Sequence, residues 1–187
     1  MEPWIERGPS RLGAVMELEH AIRTRRTHKA FAPEPVEPEL LMQLLELARW
    51  APNHHLTNPW RFRVLGPDTV QRLREIAETH APGSGSKLDR APTLIAASVH
   101  SDGDAVQRQE DLLAAGVAAY LVLLGAHDAG LAGYWRTVAF LDSPAGRQAI
   151  DLDPAESPIG LLHLGRPRQE QRVPERAPLQ AFVRTLP

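Results

Sequence analysis

The chain has 187 residues, 43% apolar and 24% charged, with no cysteine and a formal charge of −2. One domain, or two small ones, of this length buries roughly 70% of the unfolded surface, and the balanced composition excludes intrinsic disorder as the main state. Disulfides, thiolate nucleophiles and cysteine metal sites are impossible, and a pI near 6.4 argues against nucleic-acid binding driven by net charge.

Val15, Leu18 and Ile22 fall on one helical stripe, with Arg23, Arg25 and Arg26 crowding its far end, where cations complement the helix dipole. Pro33, Pro35 and Pro38 enforce an extended connection. A second amphipathic helix carries Leu40, Leu41, Leu44, Leu45, Leu47 and Ala48, and Pro52 stops it. From Trp60 to Leu65 the pattern alternates, with Trp60, Phe62 and Val64 on one face and Arg61 and Arg63 on the other. That is a half-buried strand.

Asp68 and Gln71 suggest a capping box for a third helix bearing Val70, Leu73, Ile76 and Ala77. His80 to Lys87, with Pro82, Gly83 and Gly85, reads as a mobile loop, and Thr93 to Val99 as an interior strand. A long helix is expected from Gln109 to Ala129, ended by Gly130. Its apolar run, Leu112 to Ala126, has 15 residues, short of the roughly 18 to 20 a membrane span needs. A core helix is the better reading.

Leu131 to Thr137 and Ile159 to Leu164 read as two more strands, with a short helix starting at Ser143-Pro144 between them. The tail from Arg166 to Pro187 is polar and Pro-rich apart from Leu179 to Val183. The expectation is an α+β fold in one domain over residues 1–187, with one sheet and a peripheral extension at Met1 to Gly13. The long helix is apolar nearly all round, so it either lies at the centre of the monomer or is covered by a partner subunit. Met1 to Arg11 lacks the apolar stretch of a secretory signal, and the missing cysteines suit a reducing cytoplasm.

Neither phosphate-loop signature occurs, nor a nucleophile elbow. His54 and His55 are adjacent, and on an extended segment they would point apart, which disfavours a shared metal. Three segments could carry chemistry. Arg25-Arg26-Thr27, with Lys29, offers the forked cations and hydroxyl that a phosphate monoester needs, or is a solvated helix end. Ala51 to Phe62 places Asn53, His54, His55 and Asn58 in a Pro-bounded loop suited to directional hydrogen bonds, or to bonding its own backbone. Gly130 to Thr137 ends in Trp135-Arg136-Thr137, which is either a core strand with one exposed arginine or part of a site.

In this order and spacing the three segments resemble the FMN-dependent nitroreductase family, in particular its short bacterial branch. Arg25-Arg26-Thr27 stands for the family's Arg-Arg/His-Ser. Ala51-Pro52 through Asn58-Pro59-Trp60-Arg61-Phe62 stands for its Ala-Pro loop ending in Gln-Pro-Trp-x-Phe. Asn53-His54 replaces Asp-His, Trp135-Arg136-Thr137 matches Trp-Arg-Ser, and Leu164-Gly165-Arg166-Pro167 matches a Leu-Gly-x-Pro turn. The likeness runs over roughly residues 15 to 185. The longer members carry Asn or Ser where this chain has Leu56, and Asn58 shortens the usual Gln by a methylene.

The resemblance implies a mainly antiparallel sheet flanked by helices, in a homodimer holding one FMN per subunit at its interface. By the same resemblance Arg25, Arg26 and Thr27 hold the FMN phosphate and ribityl end, and Lys29 lies near the flavin pyrimidine. His54 and Asn58 bond the ribityl chain and ring edge, while Trp135, Arg136 and Thr137 close the site, Arg136 as a second phosphate ligand. NAD(P)H would be the co-substrate and a nitroaromatic or quinone the small-molecule acceptor, with no nucleic acid or membrane involved. The flavin carries the chemistry, so no protein acid or base is nominated. The alternatives are a non-catalytic flavin carrier or sensor, or a protein interaction domain.

Overall fold

The computed structural model describes residues 16–187, so Val15 of the expected helical stripe and the extension at Met1 to Gly13 lie outside the described residues. Four strands form one sheet in the order β1-β2-β4-β3: β1 Trp60–Val64, β2 Thr93–His100, β3 Ala132–Arg136 and β4 Glu156–Gly165. Every neighbouring pair is antiparallel. Five helices complete the described fold: α1 Leu18–Thr24, α2 Pro38–Ala48, α3 Pro67–His80, α4 Ala105–Asp128 and α5 Pro144–Ala149.

Strand alternation divides the core into two layers. Ile95 and Leu162 face α2 and α4 together with Leu44 and Val122, whereas Leu94 and Leu161 face α3 and the α5 region together with Leu73 and Leu141. Both faces of the central strands are therefore covered, which is why β2 reads as a continuous small and apolar run. Helix α4 begins earlier than Gln109 because the Asp104 carboxylate accepts from the amides of Val106 (2.9 Å) and Gln107 (3.0 Å). It ends where Gly130 adopts φ +74°. At 24 residues α4 is long and apolar enough to cross a membrane, yet half of that stretch is buried inside this fold. It is a core helix.

Several local expectations are corrected. Leu18 and Ile22 are exposed rather than packed, and Ala21 alone of α1 is buried, because no described residue covers that stripe. The capping box at Asp68 does not form. Helix α3 starts two residues earlier, on Pro67, whose fixed φ suits a first turn, with no side-chain cap. The segment after α3 is pinned rather than mobile: Glu78 accepts from the amides of Gly83 (2.7 Å) and Gly85 (3.1 Å), and buried Ser84 bonds the Ala77 carbonyl. Arg63 is not a solvated residue either. Its guanidinium grips the buried Glu156 carboxylate at 2.8 and 2.9 Å and also reaches Ser98, tying β1, β2 and β4 together.

His163 on β4 is completely buried beside Tyr134, and neither ring nitrogen has a hydrogen-bond partner among the described residues. Burial, then the charges of Arg136 and Arg90, push its pKa down to about 4. The folded value lies below the unfolded one, so at pH 7 both states are neutral. As the pH falls below about 6.5 only the unfolded chain gains the proton. Between pH 7 and 4.5 the His163→Gln variant is expected to lose about 2 to 3 kcal/mol less stability than the parent, read from urea midpoints. Parallel losses would refute the assignment.

Candidate functional site

Past α1 the chain runs extended beside the free edge of β3. Thr27 forms a parallel bridge with Gly133, the His28 amide donates to the Gly133 carbonyl (3.3 Å), and Phe31 bridges Pro167. Alternation along this segment separates Arg25, Thr27 and Lys29 from Arg26 and His28. The Arg25 guanidinium lies 5.6 Å from the ring centre of Tyr120 on α4. Thr27 and Lys29 are exposed. Arg26 turns back and donates to the carbonyls of Arg23 (2.6 Å) and Arg25 (2.9 Å), closing the end of α1.

Arg26 and His28 line a cleft of about 790 Å³ with His127, Arg168 and Gln171. Burial, followed by the charge of Arg25, holds His28 and His127 below the ordinary histidine range. Among the described residues none of Arg25, Arg26 and Lys29 has a carboxylate partner, in contrast to Arg63, which is paired with Glu156. Uncompensated forked cations beside a hydroxyl are the donor set that fits a phosphate.

The loop between α2 and β1 is built on backbone strain. His55 (φ +53°), Leu56 (+52°) and Asn58 (+47°) all sit in the left-handed region. This reversal stacks the rings of His54 and His55 with centroids 3.9 Å apart, so they do not point to opposite sides. His54 Nδ1 lies 2.8 Å from Oε2 of Glu110 on α4. The Asn58 side-chain amide donates to the Leu56 carbonyl (2.7 Å), and its backbone amide donates to Asn53 Oδ1 (2.9 Å). Thr57 donates to Asp111 (2.7 Å). The Asn58 amide group that the family likeness gives to a flavin thus braces its own loop.

At the end of β3 the three expected residues diverge. Trp135 faces α4, its indole N–H donates to the Ile159 carbonyl (2.9 Å), and its ring edge abuts Gly116. Arg136 leaves from the opposite face, near Arg90 and His163, with a buried Nη1 that has no partner. Burial, then the charge of Arg90, lowers its pKa. Thr137 is exposed at a hollow of about 470 Å³ beside Gly160.

Within one chain these groups do not converge. Arg25 meets α4 at Tyr120 and His54 meets it at Glu110, ten positions earlier, which is roughly 15 Å along the axis. Arg25 and Arg136 lie on opposite sides of the sheet. Glu110 and Asp111 escaped the sequence reading because only the packing of α4 against the distant loop brings them there.

A four-stranded antiparallel sheet wrapped around such a helix is the nitroreductase-like fold. A nitroreductase-like protein from Bacillus cereus superposes with a TM-score of 0.83 over 92% of this chain and 97% of its own, at 22% identity. NfnB from a Sphingopyxis strain, described as an FMN and NADPH-dependent nitroreductase, gives 0.77 over 92% and 100% at 15% identity. YdjA of Escherichia coli K12, named as an NAD(P)H nitroreductase, is 29% identical over 162 residues, 81% of this chain and 88% of its own. The nitroreductase family model matches residues 22–166, and the chain belongs to that family, whose members are oxidoreductases.

Trp135 acts here as a scaffold residue. Replacing it with Phe keeps most of the packing but strips the Ile159 carbonyl of its donor. The Trp135→Phe variant is expected to lose about 1 to 2 kcal/mol of stability in urea unfolding, with FMN affinity changed less than about twofold. Unchanged stability with a large affinity loss would place the indole against the ligand instead.

Proposed function

We propose that the protein is a homodimeric, FMN-dependent oxidoreductase that takes a hydride from NAD(P)H and delivers it to a nitroaromatic or quinone-like acceptor. FMN, when bound, supplies the hydride-accepting and hydride-donating chemistry. The observation that carries this reading is the separation of Arg25 and Lys29, which have no carboxylate partner among the described residues, from the His54 loop along a helix that the described residues leave partly uncovered. A second copy can bring one chain's cations and the other chain's loop to the same ligand.

Apolar surface supports the same arrangement. Leu112, Leu113 and Val117 on α4 are exposed with Leu18 and Ile22 on α1. Between α1, α2 and α4 lies a hollow of about 390 Å³ walled by Leu18, Leu47, Trp50, Leu121 and Leu124. Unpartnered apolar surface of this extent marks an interaction site. The exposed tail, with Leu179, Phe182, Val183 and Leu186 uncovered, is suited to wrap the partner.

In the assembled site Arg25 and Thr27 bind the phosphate and ribityl end, and Arg26 shapes the turn that presents them. Lys29 reaches the pyrimidine side, where a cation stabilises negative charge on the reduced ring system. His54 and its loop come from the partner, and Asn58 acts by holding that loop. Thr137 borders the ring end, which Trp135 braces from within the core, and Arg136 leaves from the opposite face of β3 with an Nη1 that is buried and unpartnered among the described residues. The NfnB dependence on FMN and NADPH and the naming of YdjA support the cofactor and the electron donor. The lack of cysteine supports a cytoplasmic setting.

The decisive measurement is the visible spectrum of freshly purified protein, before and after anaerobic addition of NAD(P)H, together with native mass spectrometry. A yellow dimer carrying two FMN, bleached by NAD(P)H, is expected. Arg25→Ala is expected to weaken FMN binding about 10- to 100-fold, the loss of one charged hydrogen-bond donor. A colourless monomer that gains no FMN would overturn the reading, and flavin that NAD(P)H leaves oxidised would indicate a carrier or sensor.

A further inference from the structure

We infer that Asp111 is a positioning residue: a buried carboxylate that locks the strained loop at residues 53–58 in the shape that presents His54 to the flavin of the partner subunit. The inference rests on the dimeric flavin site proposed above, and adds a residue that neither the sequence motifs nor the family likeness marks.

The loop has a stability problem of its own. Three residues without the freedom of glycine hold left-handed backbone angles within four positions, costing about 1 to 2 kcal/mol each at His55 and Leu56 and less at Asn58. The bonds inside the loop, Asn58 to Asn53 and Asn58 to Leu56, shape it but do not attach it to the fold. Two contacts fasten it to α4. The His54–Glu110 pair is solvent-exposed, and pairs of that kind contribute little. The other is Thr57 Oγ1 to Asp111.

Asp111 is only 3% exposed and accepts from three side chains. Oδ1 takes Thr57 (2.7 Å) and Gln107 (3.0 Å), and Oδ2 takes Ser101 (2.5 Å). Burial alone would raise its pKa, but the bonds from Ser101, Thr57 and Gln107 outweigh burial and hold it below the usual carboxylate range. Loop, sheet end and helix therefore meet at a single charge. An apolar residue would serve equally well for packing α4 onto the sheet; a buried carboxylate is what can take hydrogen bonds from three separate elements at once.

Neighbouring Glu110 completes the arrangement. A carboxylate can only accept, so His54 Nδ1 is the donor in this contact and Nε2 is left for another partner. Asp111 fixes where the loop stands and Glu110 fixes which nitrogen it shows. A free ring nitrogen at that place suits a hydroxyl-rich ligand such as a ribityl chain, since hydroxyls both donate and accept.

The test uses the full-length dimer. In flavin-free protein, Thr57→Val and Asp111→Ala are expected to speed hydrogen exchange at the Thr57 and Asn58 amides at least tenfold, leaving core strand amides unchanged. The same variants are expected to weaken FMN binding about tenfold, and Thr57→Ser to restore both readings. A mixed dimer of one Asp111→Ala chain and one Arg25→Ala chain should regain a single FMN site of parental affinity, because the intact cations and the intact loop then meet in one place. Parental exchange and affinity in Thr57→Val would overturn the inference, as would a mixed dimer with no restored site. If Asp111→Ala fails to fold, the Thr57→Val and Thr57→Ser pair decides. Parental protein that binds no FMN would refute the functional reading instead, while the exchange measurement would still report whether Asp111 holds the loop.

Discussion

The structure depends on a single imbalance: α4 carries more apolar surface than the described residues cover. Its small residues spend one side on close approach. Ala115, Ala118, Ala119 and Ala126 are fully buried, Gly125 admits Leu47 of α2, and Gly116 admits Trp135 of β3. Side chains larger than these would push α2 and β3 outward and split the core. The opposite side keeps its bulk and stays open, with Leu113 at 64% exposure. At about 25 cal/mol per Å² of apolar surface buried, such a face strongly favours a partner.

That imbalance also organises the polar groups. Arg63 lies at a layer the chain closes by itself, and there it is fully paired with Glu156 and Ser98. Arg25 and Lys29 lie at the layer the chain leaves open, and there no described carboxylate meets them. The same residue type therefore clamps the sheet in one place and is left available in the other. Leaving two cations uncompensated next to a backbone bridge is understandable where an anion is to be bound.

Legibility in the sequence followed the range of the forces involved. The strands and α2 were readable because alternation and helical spacing are local, and α5 because Ser143 caps it through the Gly146 amide. The cap at Asp104 was missed since apolar periodicity starts later than the hydrogen-bonded turn it nucleates. The Asp68 box failed because Pro67 starts the helix first. In the site, the cation cluster and the Asn/His loop stood out by composition. Asp111 did not: its donors come from Thr57, Ser101 and Gln107, and only the folded chain brings the first of these across 54 positions. The family motifs pointed to Trp135 and Arg136 but could not tell side chain from backbone, and alternation then sends the two to opposite faces of the sheet.

Leu56 joins the two themes. It combines a left-handed backbone, which Asn or Gly tolerates better, with an apolar side chain 76% exposed to water. Each is unfavourable in an isolated chain, and nothing among the described residues relieves either. Both are offset if the side chain is buried against a second copy, since full burial of a leucine contributes about 1.5 to 3 kcal/mol, comparable with the backbone strain. The loop is then stabilised from two directions, by Asp111 from inside its own subunit and by apolar contact from outside. In the proposed dimer its shape becomes dependent on assembly, which ties presentation of His54 to the moment the partner's cations arrive.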